Sequence, residues 1–225
     1  MRPQDLRFAH SVGNTGFFEQ QILYIPKQAQ LENLLHVSIS EIFPENQPLA
    51  IEYCSGNGDW VVEQARDQPD WNWIAVERKC DRVRKIWSKR SHLRLNNLLI
   101  IWGEALLFTQ HYLKESSVGD IYINFPDPWP KNRHRKNRLI GTTFFAELER
   151  VLQTQGRLVL VTDEPICGDE AVKVVQQVSG FQPAVSNPYY QLHRPGYGSS
   201  YFETLWKSKG KQIRYYEFIK GCVSA

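Results

Sequence analysis

Asp127 stands in the most chemically suggestive run of the chain, Phe125-Pro126-Asp127-Pro128-Trp129-Pro130-Lys131-Asn132-Arg133-His134-Arg135-Lys136-Asn137-Arg138-Leu139. Proline fixes its own φ and restricts the residue before it, so the alternating prolines stiffen the backbone around Asp127 and Trp129. Lys131, Arg133, Arg135, Lys136 and Arg138 follow with no acid among them. An acid on a stiff loop beside dense positive charge joins site chemistry to phosphate attraction.

Four more acids carry similar promise. Glu52 lies in the apolar run Leu49–Cys54, just before the turn Ser55-Gly56-Asn57-Gly58. Glycines in such a turn let a ligand approach the backbone closely. The pattern is not the full dinucleotide fingerprint, because Cys54 and Val61 occupy its first and third glycine positions. Glu77 follows 21 residues beyond Gly56, where a carboxylate is placed to accept ribose hydroxyls. Glu104 in Trp102-Gly103-Glu104-Ala105 is either near an adenine amino group or a helix N-terminal charge. Asp163 stands in Thr162-Asp163-Glu164-Pro165. The five acids are expected on one rim.

The elements that must position them alternate regularly from residue 49. Strands are expected at 49–54, 71–76, 97–101, 118–124 and 157–161, with late extended segments at 201–207 and 213–218. Helices are expected at 28–42, 59–67, 79–90, 104–112, 139–152 and 168–178. This alternation predicts an α/β fold whose mostly parallel sheet carries helices on both faces. Ligands then bind beyond the carboxyl ends of the strands. Residues 1–30 lack clean periodicity and are expected as a poorly defined arm before a single domain, 31–225. Asn187-Pro188-Tyr189-Tyr190 lies too late to serve the fourth strand and reads as a loop.

Charge is distributed unevenly. The net charge is +3 over 225 residues. Residues 78–94 hold +7 and residues 131–138 hold +5, which leaves −9 elsewhere. Two such basic blocks suit a polyanion. Hydrophobic residues at 42% and charged residues at 23% exclude a disordered or collagenous chain. Cys54, Cys80, Cys167 and Cys222 form no close pair, and the histidines are scattered. No metal site and no disulfide scaffold are expected. No stretch reads as a signal peptide or a membrane span, so the expected compartment is the cytoplasm. The expected assembly is a monomer or a homodimer.

From residue 49 to the C-terminus the chain resembles class I, S-adenosylmethionine-dependent methyltransferases. The Phe125–Arg138 run is similar to the signature of the bacterial tRNA (guanine-N7-)-methyltransferase family. Ser200-Tyr201-Phe202-Glu203 is similar to that family's Thr-x-Phe-Glu segment. The resemblance implies a Rossmann-like, seven-stranded sheet with an antiparallel C-terminal edge. It implies S-adenosylmethionine as methyl donor, tRNA as partner and N7 of guanosine 46 in the variable loop as target. By the same resemblance, Glu52, Gly56, Gly58, Glu77, Glu104 and Asp127 belong to the donor site, with Asp127 at the reaction centre. Lys131, Asp163, Ser200 and Glu203 engage the target nucleotide, and Arg133, Arg135, Lys136 and Arg138 the RNA. Glycine is more usual in the family at Cys54, threonine at Ser200 and a basic residue at Asn137.

Guanine N7 carries no proton, so the implied reaction needs alignment rather than a general base. Carboxylates can stabilise the positive product and accept from guanine N1–H and N2. The rivals are a methyltransferase of the same fold with another substrate, a nicotinamide-dependent oxidoreductase, and a non-enzymatic RNA-binding domain. The incomplete glycine pattern disfavours the second, and Glu77 with Asp127 disfavours the third.

Overall fold

The computed structural model describes residues 1–9, 12–27, 34–43, 45–127, 139–178 and 180–221. The chain divides into two compact units, Met1–Leu113 and Lys114–Ala225.

The first unit contains the strands β1 (Phe17–Glu19), β2 (Ile22–Tyr24), β3 (Leu49–Tyr53), β4 (Asn72–Glu77) and β5 (Leu98–Trp102). Their order is β1-β2-β5-β4-β3, with β1 antiparallel to β2 and the other pairs parallel. Every residue of β4 and β5 is buried, as strands covered on both faces must be. The helices α1 (Ile39–Ile42), α2 (Asp59–Asp67), α3 (Cys80–Leu93) and α4 (Ala105–Tyr112) belong to the same unit. Helix α2 buries Trp60, Val61, Val62 and Ala65, and Trp60 meets Trp73 of β4 edge-on at 5.8 Å between ring centroids. Burying side chains of this size contributes roughly 2–3 kcal/mol each before entropy is counted.

Two expectations change here. The N-terminal stretch expected to be ill-defined supplies β1 and β2, and β2 runs parallel to β5. Their two-residue connection, Gln20-Gln21, has φ of +52° and +62°. That is the backbone of a tight hairpin, but without the Asn-Gly or Asp-Gly that announces one. The helix expected at 28–42 is confined, among the described residues, to Ile39–Ile42; residues 28–33 lie outside them.

The second unit orders its strands β6 (Val118–Asn124), β7 (Leu152–Thr162), β9 (Arg214–Lys220) and β8 (Phe181–Pro183). Strands β6 and β7 are parallel, whereas β9 is antiparallel to both β7 and β8. The helices are α5 (Thr142–Val151), α6 (Pro165–Gln177) and α7 (Tyr201–Ser208). Strand β7 starts five residues earlier than expected, because Leu152 pairs with Val118 and the exposed residues 153–155 show no apolar pattern. Segment 201–207, expected as extended, is helical. Its N-cap is Ser200, whose Oγ accepts from the Glu203 amide at 3.1 Å. The antiparallel C-terminal edge is therefore formed by β9 and the short β8.

Candidate functional site

In the first unit, the turn after β3 is bent by three left-handed residues. Cys54, Gly56 and Gly58 have φ of +63°, +56° and +75°. Glycine adopts such angles freely, but cysteine at Cys54 costs roughly 1–2 kcal/mol. A Cβ at Gly58 would lie 2.6 Å from Ile86 Cγ1, so α3 packs directly on this turn. The Ser55 amide donates to Val76 O at 3.2 Å, and Ser55 Oγ donates to Glu52 O at 2.9 Å.

Glu77 holds the turn from the end of β4. Its Oε2 accepts from the Gly56 amide at 2.9 Å. Its Oε1 accepts from the Arg78 and Lys79 amides, both at 2.8 Å. A carboxylate offers about four lone-pair directions, so one remains on Oε2 beyond these three bonds. Arg82 stands 3.6 Å from the same oxygen. Glu52 is buried inside β3, opposite Ala75. Glu104 is the N-cap of α4 and pairs with Arg78 at 3.5 Å. Gly103 before it is required by close approach, since a Cβ there would meet Ile25 Cβ at 2.7 Å. The segment following β2 therefore lies against the β5–α4 turn. The structure thus brings Gly56, Glu77, Arg78 and Glu104 into one linked group.

In the second unit, Asp127 is exposed, two residues beyond Phe125. Phe125 has φ of +48°, an outlier for a bulky residue before proline. Such strain is held only where surrounding contacts enforce it. Here the Phe125 amide donates to Val161 O at 2.8 Å and the ring meets Phe202 at 6.1 Å. Lys131, Arg133, Arg135, Lys136 and Arg138 lie outside the described residues.

A buried polar chain follows in the same unit. Asn124 Oδ1, at the end of β6, accepts from Tyr197 OH at 2.9 Å. Tyr197 packs edge-on against Tyr215 at 5.2 Å, and Tyr215 OH donates to Glu203 Oε1 at 2.7 Å. Lys207 also donates to Glu203 Oε1. Glu203 Oε2 is buried and has no hydrogen-bond partner among the described residues. Burial, and then the bond to Glu203, push the Tyr215 hydroxyl well above its ordinary pKa. Asp163 pairs with Lys211, which also reaches Glu164 at 2.5 Å.

Residues 46–215 match the family described as "Putative methyltransferase". A tRNA (guanine-N(7)-)-methyltransferase of Chlamydia caviae is 46% identical over 223 residues, covering 98% of both chains. The chain belongs to the tRNA (guanine-N(7)-)-methyltransferase family. Its fold is also that of the 16S rRNA methyltransferase KamB, at 14% identity and a TM-score of 0.60 over 81% of this chain and 92% of that one. Geranyl diphosphate C-methyltransferase from Streptomyces coelicolor, in complex with S-adenosyl-L-homocysteine, matches at 12% identity and a TM-score of 0.51, over 82% and 77%. Class I methyltransferase architecture follows from these likenesses.

For a family member, the basic helix α3 holds a surprise. Arg84 Nη1 donates to Leu6 O at 3.3 Å, and Arg90 Nε donates to Leu98 O at 2.7 Å. Burial holds the Arg90 guanidinium below its ordinary pKa. Lys85 and Lys89 bond to the turn after β3 at Asn57. From the sequence these cations read only as a block suited to a polyanion. Tyr197 and Tyr215 carry no motif that marks them in the sequence, yet with Lys207 they hold Asn124 and Glu203. Ser200-x-x-Glu203, a capping pattern, and the Glu203/Lys207 spacing were the available signals for α7 and its lysine. Among the described residues, no group of three metal-ligating side chains is arranged to hold an ion, and no helix is long and apolar enough to cross a membrane.

Proposed function

We propose that this chain transfers the methyl group of S-adenosylmethionine to N7 of guanosine 46 in the variable loop of tRNA. The observation that carries the donor half is the bond from the Gly56 amide to Glu77. It ties a left-handed, amide-rich turn to an acid at the end of the next strand, which is the layout a ribose-bearing ligand needs. The second lone-pair direction of Glu77 Oε2, faced only at 3.6 Å by Arg82, and the backbone of Gly56–Gly58 fit such a ligand. Glu52 and Glu104 flank it in sequence. When bound, the donor supplies an electrophilic methyl group on a sulfonium.

The chain's own residues then bind and align. No general base is needed, because N7 offers a lone pair without a proton. Asp127, which is exposed, is the acid assigned to the reaction centre, where it stabilises positive charge developing on the purine. Glu203 presents its buried Oε2 as an acceptor for guanine N1–H or N2. Asp163 and Ser200 are assigned to the same nucleotide, and Lys131, Arg133, Arg135, Lys136 and Arg138 to the RNA backbone. Exposing a base from the tRNA core requires local distortion of the RNA. The reaction takes place in the cytoplasm, where tRNA is found.

The test is incubation of the purified protein with labelled donor and unmodified total tRNA, followed by mapping of the methylated base. Label at guanosine 46 N7 is expected. Label on another base or on rRNA alone would overturn the assignment. Asp127→Ala should lower methyl transfer by about two to three orders of magnitude while tRNA affinity changes little; near-wild-type turnover removes Asp127 from the reaction centre.

A further inference from the structure

Arg82, Lys85, Ile86 and Lys89 lie at i, i+3, i+4 and i+7 on α3, so they form one stripe along the helix. All four meet the donor turn or the acid that holds it. Arg82 stands 3.6 Å from Glu77 Oε2. Lys85 Nζ donates to Asn57 Oδ1 at 3.2 Å. Ile86 fills the space that a Cβ at Gly58 would need. Lys89 Nζ donates to Asn57 O at 2.9 Å and to Asp59 Oδ1 at 2.5 Å. Asn57 is thus held by both its backbone carbonyl and its side chain.

Resting on the donor-site reading above, we propose that Lys89, assisted by Lys85, is a positioning residue for the methyl donor rather than an RNA contact. The reason lies in the peptide between Asn57 and Gly58. Gly58 sits at φ +75°, and glycine tolerates positive and negative φ almost equally. The glycine torsion alone does little to resist rotation of that peptide, which would re-aim the amides of the turn. On its N–H side the Gly58 amide is held by Ser55 O at 2.8 Å, and on its carbonyl side the holder is Lys89. An ammonium on the Asn57 carbonyl fixes the peptide plane, and Ile86 blocks the turn from settling toward α3. The Lys89–Asp59 pair ties the same ammonium to the first residue of α2, so the turn and the helix after it are held as one piece. A bond from a charged donor to a carbonyl is stronger than a neutral one, and a misplaced turn loses alignment along with affinity.

Calorimetry with S-adenosylhomocysteine and tRNA binding across a salt series, on wild type, Lys89→Met, Lys85→Met and Lys89→Arg, test this. Lys89→Met should weaken S-adenosylhomocysteine binding roughly tenfold and raise the donor KM in proportion. The tRNA Kd and its salt slope should stay unchanged, as should the melting temperature within a few degrees. Lys85→Met should act in the same direction but less, and Lys89→Arg should restore most of the affinity. Unchanged donor affinity in Lys89→Met, or a salt slope reduced by about one per lysine removed, would overturn the proposal in favour of a phosphate contact. Wild-type protein that binds no S-adenosylhomocysteine would instead overturn the donor-site reading itself.

Discussion

Glu77 in the first unit and the pair Asp163 and Glu203 in the second are all acids with little exposure, yet they are held in opposite ways. Glu77 is gripped by three backbone amides, those of Gly56, Arg78 and Lys79. Asp163 and Glu203 are held by side chains, namely Lys211 on one and Lys207 with Tyr215 on the other. A backbone amide cannot let go without moving the chain. A lysine on a four-carbon stem can swing away when a better partner arrives. The end proposed for the donor is therefore preset, whereas the end proposed for the nucleotide carries contacts that a substrate could exchange.

The largest effect should come from breaking the preset end. Glu77→Ala leaves three amides without their acceptor, two of them at the start of α3 and one in the turn after β3. The expected cost is about 2–4 kcal/mol of stability, together with loss of donor binding. Urea unfolding and S-adenosylhomocysteine calorimetry measure the two separately. A loss of stability under about 1 kcal/mol would mean that the amides find other partners, and the contrast with the lysine-held acids would fail.

How much of this contrast the sequence disclosed depends on the kind of signal. The parallel strands were readable because uninterrupted apolar runs such as Leu98–Trp102 are buried on both faces. Glu77 was found from its distance to Gly56, a separation fixed by the turn–helix–strand unit that joins them. Its amide partners were not, since the peptide groups that close on a carboxylate leave no mark on residue types. The cations of α3 were visible as a block, but their direction was not. Lysine reads the same whether it faces solvent or a carbonyl, and only the i, i+3, i+4, i+7 alignment of Arg82, Lys85, Ile86 and Lys89 encoded the inward stripe. Tyr201 and Phe202 carry β propensity and suggest an extended segment, whereas the Ser200 cap and the Glu203–Lys207 pair encode the helix that forms.

A middle-sized effect should come from the exchangeable end. Lys211 bridges Asp163 and Glu164 and lies 4.6 Å above the Trp206 ring. Lys209 lies over the same ring at 4.7 Å. Partly exposed ion pairs of this type contribute little to folding. Lys211→Met should therefore cost under about 1 kcal/mol of stability yet change the tRNA KM several-fold, with the donor KM unaffected. Thermal unfolding and steady-state kinetics with each substrate varied in turn decide it. A change in the donor KM would show that the two ends are not separable by residue, and the comparison would lose its meaning.

The smallest effect concerns proton release by Tyr215. Burial and the bond to Glu203 raise its pKa in the folded protein above the ordinary tyrosine value of about 10. The folded value is the higher one, so the stability it contributes is fully present below about pH 10 and falls as pH rises toward the folded pKa. Over that window the unfolded chain loses the proton and the native state keeps it. Tyr215→Phe removes the titration together with one of the two donors to Glu203 Oε1. The stability difference between wild type and Tyr215→Phe should accordingly be flat at neutral pH and shrink in alkaline solution. Ultraviolet titration of the phenolate should show one late-ionising tyrosine fewer in the variant. A difference that stays constant through the alkaline range would mean that Tyr215 is not held by Glu203 in solution. Lys207 would then be the remaining holder of Glu203 Oε1, and the carboxylate would be freer to turn than the buried chain from Asn124 through Tyr197 and Tyr215 implies.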